Sequence, residues 1–173
     1  MLRALGPRVK HDTPAYRGSG RFIHNMLSLD PSASATQNPC MTDLSLPFGG
    51  HCLCGAIRYT CDAPPLWQAH CHCESCRRAT SSPFTACFAV ADGHWRWTGA
   101  KPAAFNSGPG AGVRRSCYAT CGNQMTYRAD DTPGDMHLWS ASLDAPRRFA
   151  PTHNDFDEEA LPWVRLDDGL PRR

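Results

Sequence analysis

The chain has 173 residues, a formal net charge of +2 and 20% charged residues, with a pI near 8.1. That balance lacks the strongly basic footprint of a nucleic-acid binder, and 41% hydrophobic residues over this length give a globular chain with a core of its own. No stretch is long and apolar enough to read as a membrane span, so neither nucleic acid nor membrane is an expected partner.

In chain order, residues 1–46 read as a flexible leader. The segment SLDPSASATQNPCMTDLSLP is polar, rich in Ser, Pro and Asn, and has no sustained period. The opening MLRALGPRVKHDTPAYRGSG lacks the apolar centre of a secretory signal. Its arginines and serines also suit an organelle address, though without a clear amphipathic helix. Met41 stands just ahead of the patterned sequence and is an alternative translation start. The expected location is cytoplasmic, where thiols stay reduced and clustered cysteines bind metal more often than they pair.

From Gly49 the sequence turns into short strands broken by Gly and Pro, which predicts a mainly β domain over residues 47–173 with few short helices. AIRYTC alternates, placing Ile57 and Tyr59 on one face. FTACFAVA is an apolar run, HWRWTG alternates Trp95 and Trp97, and NQMTYRA and MHLWSASL follow the same style. NSGPGAGVRR is glycine-rich but lacks the lysine and spacing of a phosphate loop, so it reads as a hairpin loop. The tryptophans, Trp163 above all, are expected in the core.

The chemistry lies in the cysteines, of which there are ten. Three groups stand out: Cys52-Leu-Cys54-Gly55, Cys71-His-Cys73-Glu-Ser-Cys76, and Cys117-Tyr-Ala-Thr-Cys121-Gly122. In the first and third, a cysteine followed by glycine permits a tight turn that frees backbone N–H groups to face sulfur. Two such turns brought together make a closed four-thiolate site, the structural form of zinc coordination. The middle group offers three sulfurs from one short loop, the pattern of a zinc that keeps one position for substrate. A redox pair at Cys73 and Cys76 would sit in a βαβ context, which the neighbouring sequence lacks. His72 is read as turned away or supporting, His70 as scaffold, and Cys61 and Cys87 as packing residues within strands.

GGHCLCGAIRY, HCHCESCRRATSSPF, CGNQMTY, SLDAP and LPWVRLDDGLP together resemble the glutathione-dependent formaldehyde-activating enzyme family, which also includes centromere protein V. The resemblance runs over roughly residues 47–170. It implies a β-tent of several coiled antiparallel sheets with zinc-binding turns and two zinc sites. The structural zinc would take Cys52, Cys54, Cys121 and one further cysteine. The second zinc would take Cys71, Cys73 and Cys76. The implied activity is addition of a thiol such as glutathione to formaldehyde or another small aldehyde, a carbon–sulfur lyase reaction read in reverse. Arg77 or Arg78 would pair with a glutathione carboxylate in a bidentate fork. The alternative is a non-catalytic module, either a zinc-dependent glutathione carrier or a protein-interaction domain. At the third group the family pattern of C-x-x-C-G after an aromatic is altered, and Tyr118 occupies the expected ligand position. A one-residue slip turns a strand side chain to the other face, so Cys117 reaches the metal only through a bulge. Ser81 stands where the family often has glycine.

Overall fold

The computed structural model describes residues 44–107, 112–166 and 168–173. Most of the leader, with Cys40 and Met41, lies outside the described residues. Ten strands run in chain order: β1 (Phe48–His51), β2 (Arg58–Cys61), β3 (Trp67–Cys71), β4 (Thr85–Ala91), β5 (Trp95–Trp97), β6 (Ala103–Asn106), β7 (Arg114–Cys117), β8 (Gln124–Arg128), β9 (Asp135–Trp139) and β10 (His153–Asp155). One α-helix, α1 (Glu74–Thr80), and three short 3-10 turns complete the described elements. The mainly β expectation holds. No helix among the described residues is long and apolar enough to cross a membrane.

The strands form a three-stranded sheet, β1-β2-β5, and a seven-stranded sheet, β10-β3-β4-β9-β8-β7-β6. Among these strands every pairing is antiparallel except one. β10 runs parallel to β3, with Asp155 opposite Cys71, because the chain returns to that edge only after a long connection rather than a hairpin turn. β6 and β7 pair as Asn106 opposite Arg114, and Ser107 N–H donates to Val113 O, so the glycine-rich stretch is flanked by a hairpin. Residues 108–111 of it lie outside the described residues.

Alternation divides the large sheet into two faces with different work. Phe88, Val90 and Leu138, all fully buried, join Ile57, Tyr59, Cys61 and Met125 in the main core against the small sheet. Burying a side chain such as Phe88 or Leu138 stabilises by about 1.5–3 kcal/mol. The expectation that Ile57 and Tyr59 share a face agrees with their both lying in this core. On the opposite face Cys71, Cys87 and Trp139 form a second cluster, with Trp67 and Tyr127 packed against it. The register explains this second cluster. Trp67 pairs with Ala89, Ala89 with His137, His137 with Tyr127 and Tyr127 with Arg115. One row of side chains therefore crosses five strands.

Three expectations need correction. Residues 70–78 are not one loop: Cys71 ends β3, Cys73 caps α1, and Cys76 lies in its first turn. Trp163 is not in the core but 68% exposed, since the chain there turns along the surface, with Val164 N–H bonding back to Leu161 O. The sheets are also not wholly antiparallel, because of β10.

Candidate metal centres

Two cysteine triads form, one from Cys52, Cys54 and Cys121 and one from Cys71, Cys73 and Cys76, each with its sulfurs within 4.8 Å of one another. All nine described cysteines are unbridged. A tetrahedral zinc with bonds near 2.3 Å places its sulfurs about 3.8 Å apart. The 3.5 Å between the Cys52 and Cys54 sulfurs is close to that edge. Soft thiolate donors in sets of three suit zinc or another thiophilic cation, so both triads fit a metal.

The outer triad is built from two glycine turns. Gly55 and Gly122 both sit at positive φ, +77° and +70°, where a side chain is strained. The first turn brings Ile57 N–H to 3.3 Å from the Cys52 sulfur, as expected of a Cys-Gly turn. The second does not repeat this: Gly122 N–H goes to Tyr118 O at 2.7 Å. Asn123 ties the two turns together by accepting from Leu53 N–H at 2.9 Å. Burial pushes the Cys52 thiol up, but the Ile57 N–H and the Cys54 and Cys121 thiols outweigh it and hold Cys52 down at about 7. Cys52 is fully buried while Cys54 is exposed.

Cys117 is not in this triad. It ends β7 at a register shift between Ser116 and Cys117, where it pairs with Gln124. The bulge is therefore present, yet it leaves Cys117 half-buried outside the group. Tyr118, at the position where the family carries a ligand, packs against the main core beside Cys121.

The inner triad is assembled by a strand end and a helix start. The Cys73 sulfur caps α1, accepting from Cys76 N–H at 3.3 Å. Cys-x-x-Cys spacing places the cap and the first helical turn side by side, so both sulfurs meet Cys71 where β3 stops. The Cys71 and Cys73 thiols donate to Cys76. That outweighs burial and, with the charge of Arg115, holds Cys76 down at about 3. Cys71 is raised well above the usual thiol range by its hydrogen bonds to Cys73 and Cys76 and by burial. The neighbouring thiols and Arg115 thus favour negative charge on Cys76.

Support for this triad comes from the C-terminal segment. His72 is buried, its main-chain N–H bonds to Asp155 O at 2.9 Å, and its Nε2 meets Asn154 Oδ1 at 3.1 Å. His70 Nδ1 lies 3.5 Å from Asp168, and burial, working against that carboxylate, holds the His70 imidazole below its ordinary value. Cys61 and Cys87 are buried in strands. Burial pushes the Cys61 thiol up to about 12 and raises Cys87 well above the usual thiol range, which favours the neutral thiol at both.

Arg77 and Arg78 differ in what they do. Arg77 donates from Nε to His72 O at 2.7 Å and from a terminal nitrogen to Glu159 O at 3.2 Å, holding the tail onto the inner triad. Arg78 is exposed and pairs with Glu74 one helical turn earlier. The arginine that touches the triad is a third one, Arg115, which sequence reasoning missed. It is 2% exposed and reaches the Cys76 sulfur at 3.8 Å. The available signal was its place in the strand VRRSC, but nothing in that string says which of two adjacent arginines points inward.

A cleft of about 550 Å³ runs between the end of α1 and the Gly122 turn, with Thr80, Phe84, Gln124 and Trp139 among its walls. Trp139 also packs in the cluster of Cys71, Cys76 and Cys87, so one wall of the cleft backs onto the inner triad.

A family model described as "Glutathione-dependent formaldehyde-activating enzyme" matches residues 47–159. Among solved structures, the crystal structure of a Rhodobacter sphaeroides protein is similar at 16% identity, covering 72% of this chain and 99% of that one, with a TM-score of 0.46. No curated protein matches.

Proposed function

This chain belongs to the glutathione-dependent formaldehyde-activating enzyme family, and we propose that it joins a thiol such as glutathione to formaldehyde or another small aldehyde at the inner triad. The observation that carries this reading is the convergence of three sulfurs at the junction of β3 and α1, with no fourth donor in the group among the described residues, directly behind the Trp139 wall of the cleft. Cys71, Cys73 and Cys76 would hold a zinc ion, and the outer triad a second one with a structural role. Zinc bound there supplies a position at which a substrate thiol is deprotonated at neutral pH.

The chemistry balances without a redox partner. The substrate sulfur forms a bond to the carbonyl carbon, the C=O π bond opens, and the thiol proton ends on the new hydroxyl. The product is an S-hydroxymethyl thioether when the aldehyde is formaldehyde. Read backwards, the same step is a carbon–sulfur lyase reaction. The protein residues position the reactants. Trp139 and Cys87 back the triad with apolar surface, which keeps water from the sulfur side. The cleft has a volume within the range of small-molecule sites, roughly 300–1,000 Å³, and gives an extended thiol room between the end of α1 and the Gly122 turn. With Arg77 committed to two carbonyls, the carboxylate role falls on Arg78, which exchanges Glu74 for the ligand's carboxylate. A reducing cytoplasmic location accords with nine unbridged cysteines.

The test is Cys76→Ser. The wild type is expected to bind glutathione in calorimetry and to raise the rate of S-hydroxymethylglutathione formation above the uncatalysed rate. The variant is expected to keep its circular dichroism spectrum and lose both. Normal glutathione binding by the variant would place the site elsewhere, and binding without rate enhancement in the wild type would make the protein a carrier.

A further inference from the structure

A buried arginine in a β-sheet core requires an explanation, because an ionised side chain taken out of water is costly unless something answers its charge. Arg115 is 2% exposed. Among the described residues no carboxylate pairs with it. One terminal nitrogen donates to Ser107 Oγ, and the other reaches Ser75 Oγ at 3.2 Å and the Cys76 sulfur at 3.8 Å. The guanidinium carbon sits 5.0 Å from the centre of the Tyr127 ring. Its Nε is buried without a partner. Two hydroxyls and a ring face are neutral groups, so the anionic character in this surround comes from the cysteine triad.

The triad has the matching excess. Three thiolates around a divalent cation carry one net negative charge, and Cys71 and Cys76 are both buried. Neighbouring arginines are otherwise engaged: Arg77 on the carbonyls of His72 and Glu159, Arg78 on the exposed Glu74 pair. The outer triad is different. Its Cys54 is exposed to water, and its Cys52 sulfur takes a backbone N–H from Ile57, so solvent and main chain serve there.

We infer that Arg115 is a positioning residue for the inner centre: its fixed positive charge offsets the surplus negative charge of the metal-loaded Cys71/Cys73/Cys76 triad. Ser75, Ser107 and Tyr127 hold the guanidinium in place. Ser75 lies in α1 beside Cys76 and Ser107 follows β6, so the contact also clasps the helix that supplies two of the three sulfurs to the far strands of the sheet. With the charge offset, the centre can take an anionic fourth ligand at less electrostatic cost than a bare three-thiolate site. This inference rests on the proposed use of the inner triad as a metal site, but not on which thiol or aldehyde is the substrate.

The experiment is zinc competition against a chromophoric chelator on the full chain, with Arg115→Gln and Arg115→Lys beside the wild type. The outer triad serves as an internal control. Hydrogen bonds to charged groups are worth enough to change affinity by about 10- to 100-fold. Arg115→Gln is expected to weaken one of two zinc sites by that factor and leave the other unchanged. Arg115→Lys, which keeps a positive charge but loses the fork and the plane that faces Tyr127, is expected to weaken that site less than Arg115→Gln does. Cobalt substitution gives a second readout: the sulfur-to-cobalt charge-transfer band of one site is lost in Arg115→Gln at a metal level that fills both sites in the wild type, and retained in Arg115→Lys. Equal weakening in both variants would assign Arg115 to shape rather than charge, and wild-type affinity in Arg115→Gln would overturn the inference outright. If Arg115→Gln does not fold, Arg115→Met takes its place as the neutral variant, and a loss there no larger than in Arg115→Lys overturns the inference. A wild type that binds two zincs but no thiol would sink the proposed function and leave this inference standing.

Discussion

The two cysteine triads are the same in composition and opposite in placement. The outer one gathers residues from two glycine turns and roots in the main core through fully buried Cys52. The inner one gathers a strand end and a helix start on the other face of the seven-stranded sheet, against Trp139 and Cys87. Solvent reaches the outer triad at Cys54, whereas the inner triad has a buried arginine at Cys76. The contrast teaches that a sulfur cluster's role is set by what lies behind it. On the proposed reading, the cluster continuous with the main core would act on folding, and the cluster backed by an aromatic wall, with a cleft alongside, would act on a ligand.

The largest test of that contrast is to remove one sulfur from each. Cys52→Ser places a hydroxyl in a fully buried apolar site, which costs at least about 2 kcal/mol, and it also forfeits the folding energy a structural metal contributes. The expected result is a melting temperature lower by roughly 8 °C or more, with loss of activity following the loss of fold. Cys76→Ser should abolish thiol binding while the fold is kept, with a smaller drop in melting temperature than Cys52→Ser. If the two variants behave alike, the division of labour between the triads is wrong.

Much of the fold and of the grouping of the sulfurs was legible beforehand, and the missing parts share a cause. The C-x-C, C-x-C-x-x-C and C-G spacings are local, and local spacing fixes which sulfurs can meet. Alternation in AIRYTC likewise fixed a face, since Ile57 and Tyr59 need only be two apart. The helix α1 escaped notice because it has seven residues and a single buried one, Cys76, so no 3.6-residue period can develop. The inward arginine escaped because its partners, Ser75 and Tyr127, lie far off in the chain or across a strand. The parallel edge strand and the surface path of Trp163 are long-range outcomes too, set by how the tail returns along β3. Cys117 is an intermediate case: the sequence posed the question of a bulge, and only the register between Ser116 and Cys117 answers it.

That case gives the next test. With Cys117 outside the outer triad, Cys117→Ala should leave metal content at the wild-type level by elemental analysis, and the outer site's zinc affinity should move by less than about threefold. A drop of one metal per chain would mean that loading recruits Cys117 into the centre, and would make the outer triad a four-thiolate site.

The smallest expected effect is at Ser81, which ends α1 in the left-handed region at φ +53°. Its N–H bonds to Arg77 O, closing the helix. A non-glycine residue held there costs about 1–2 kcal/mol. Ser81→Gly removes that strain but adds backbone freedom to the unfolded chain, which takes back about 0.5–1 kcal/mol. The balance favours the glycine by about 0.5 kcal/mol, or a melting temperature higher by roughly 2 °C. Because Ser81 closes the helix that carries Cys76, the gain should appear at the inner triad, as slower amide exchange through Ser75–Thr80, with the Gly122 turn of the outer triad unaffected. An unchanged or lowered melting temperature would mean that the left-handed cap carries no net strain, and that the serine is as suited to this turn as the glycine the family often places there.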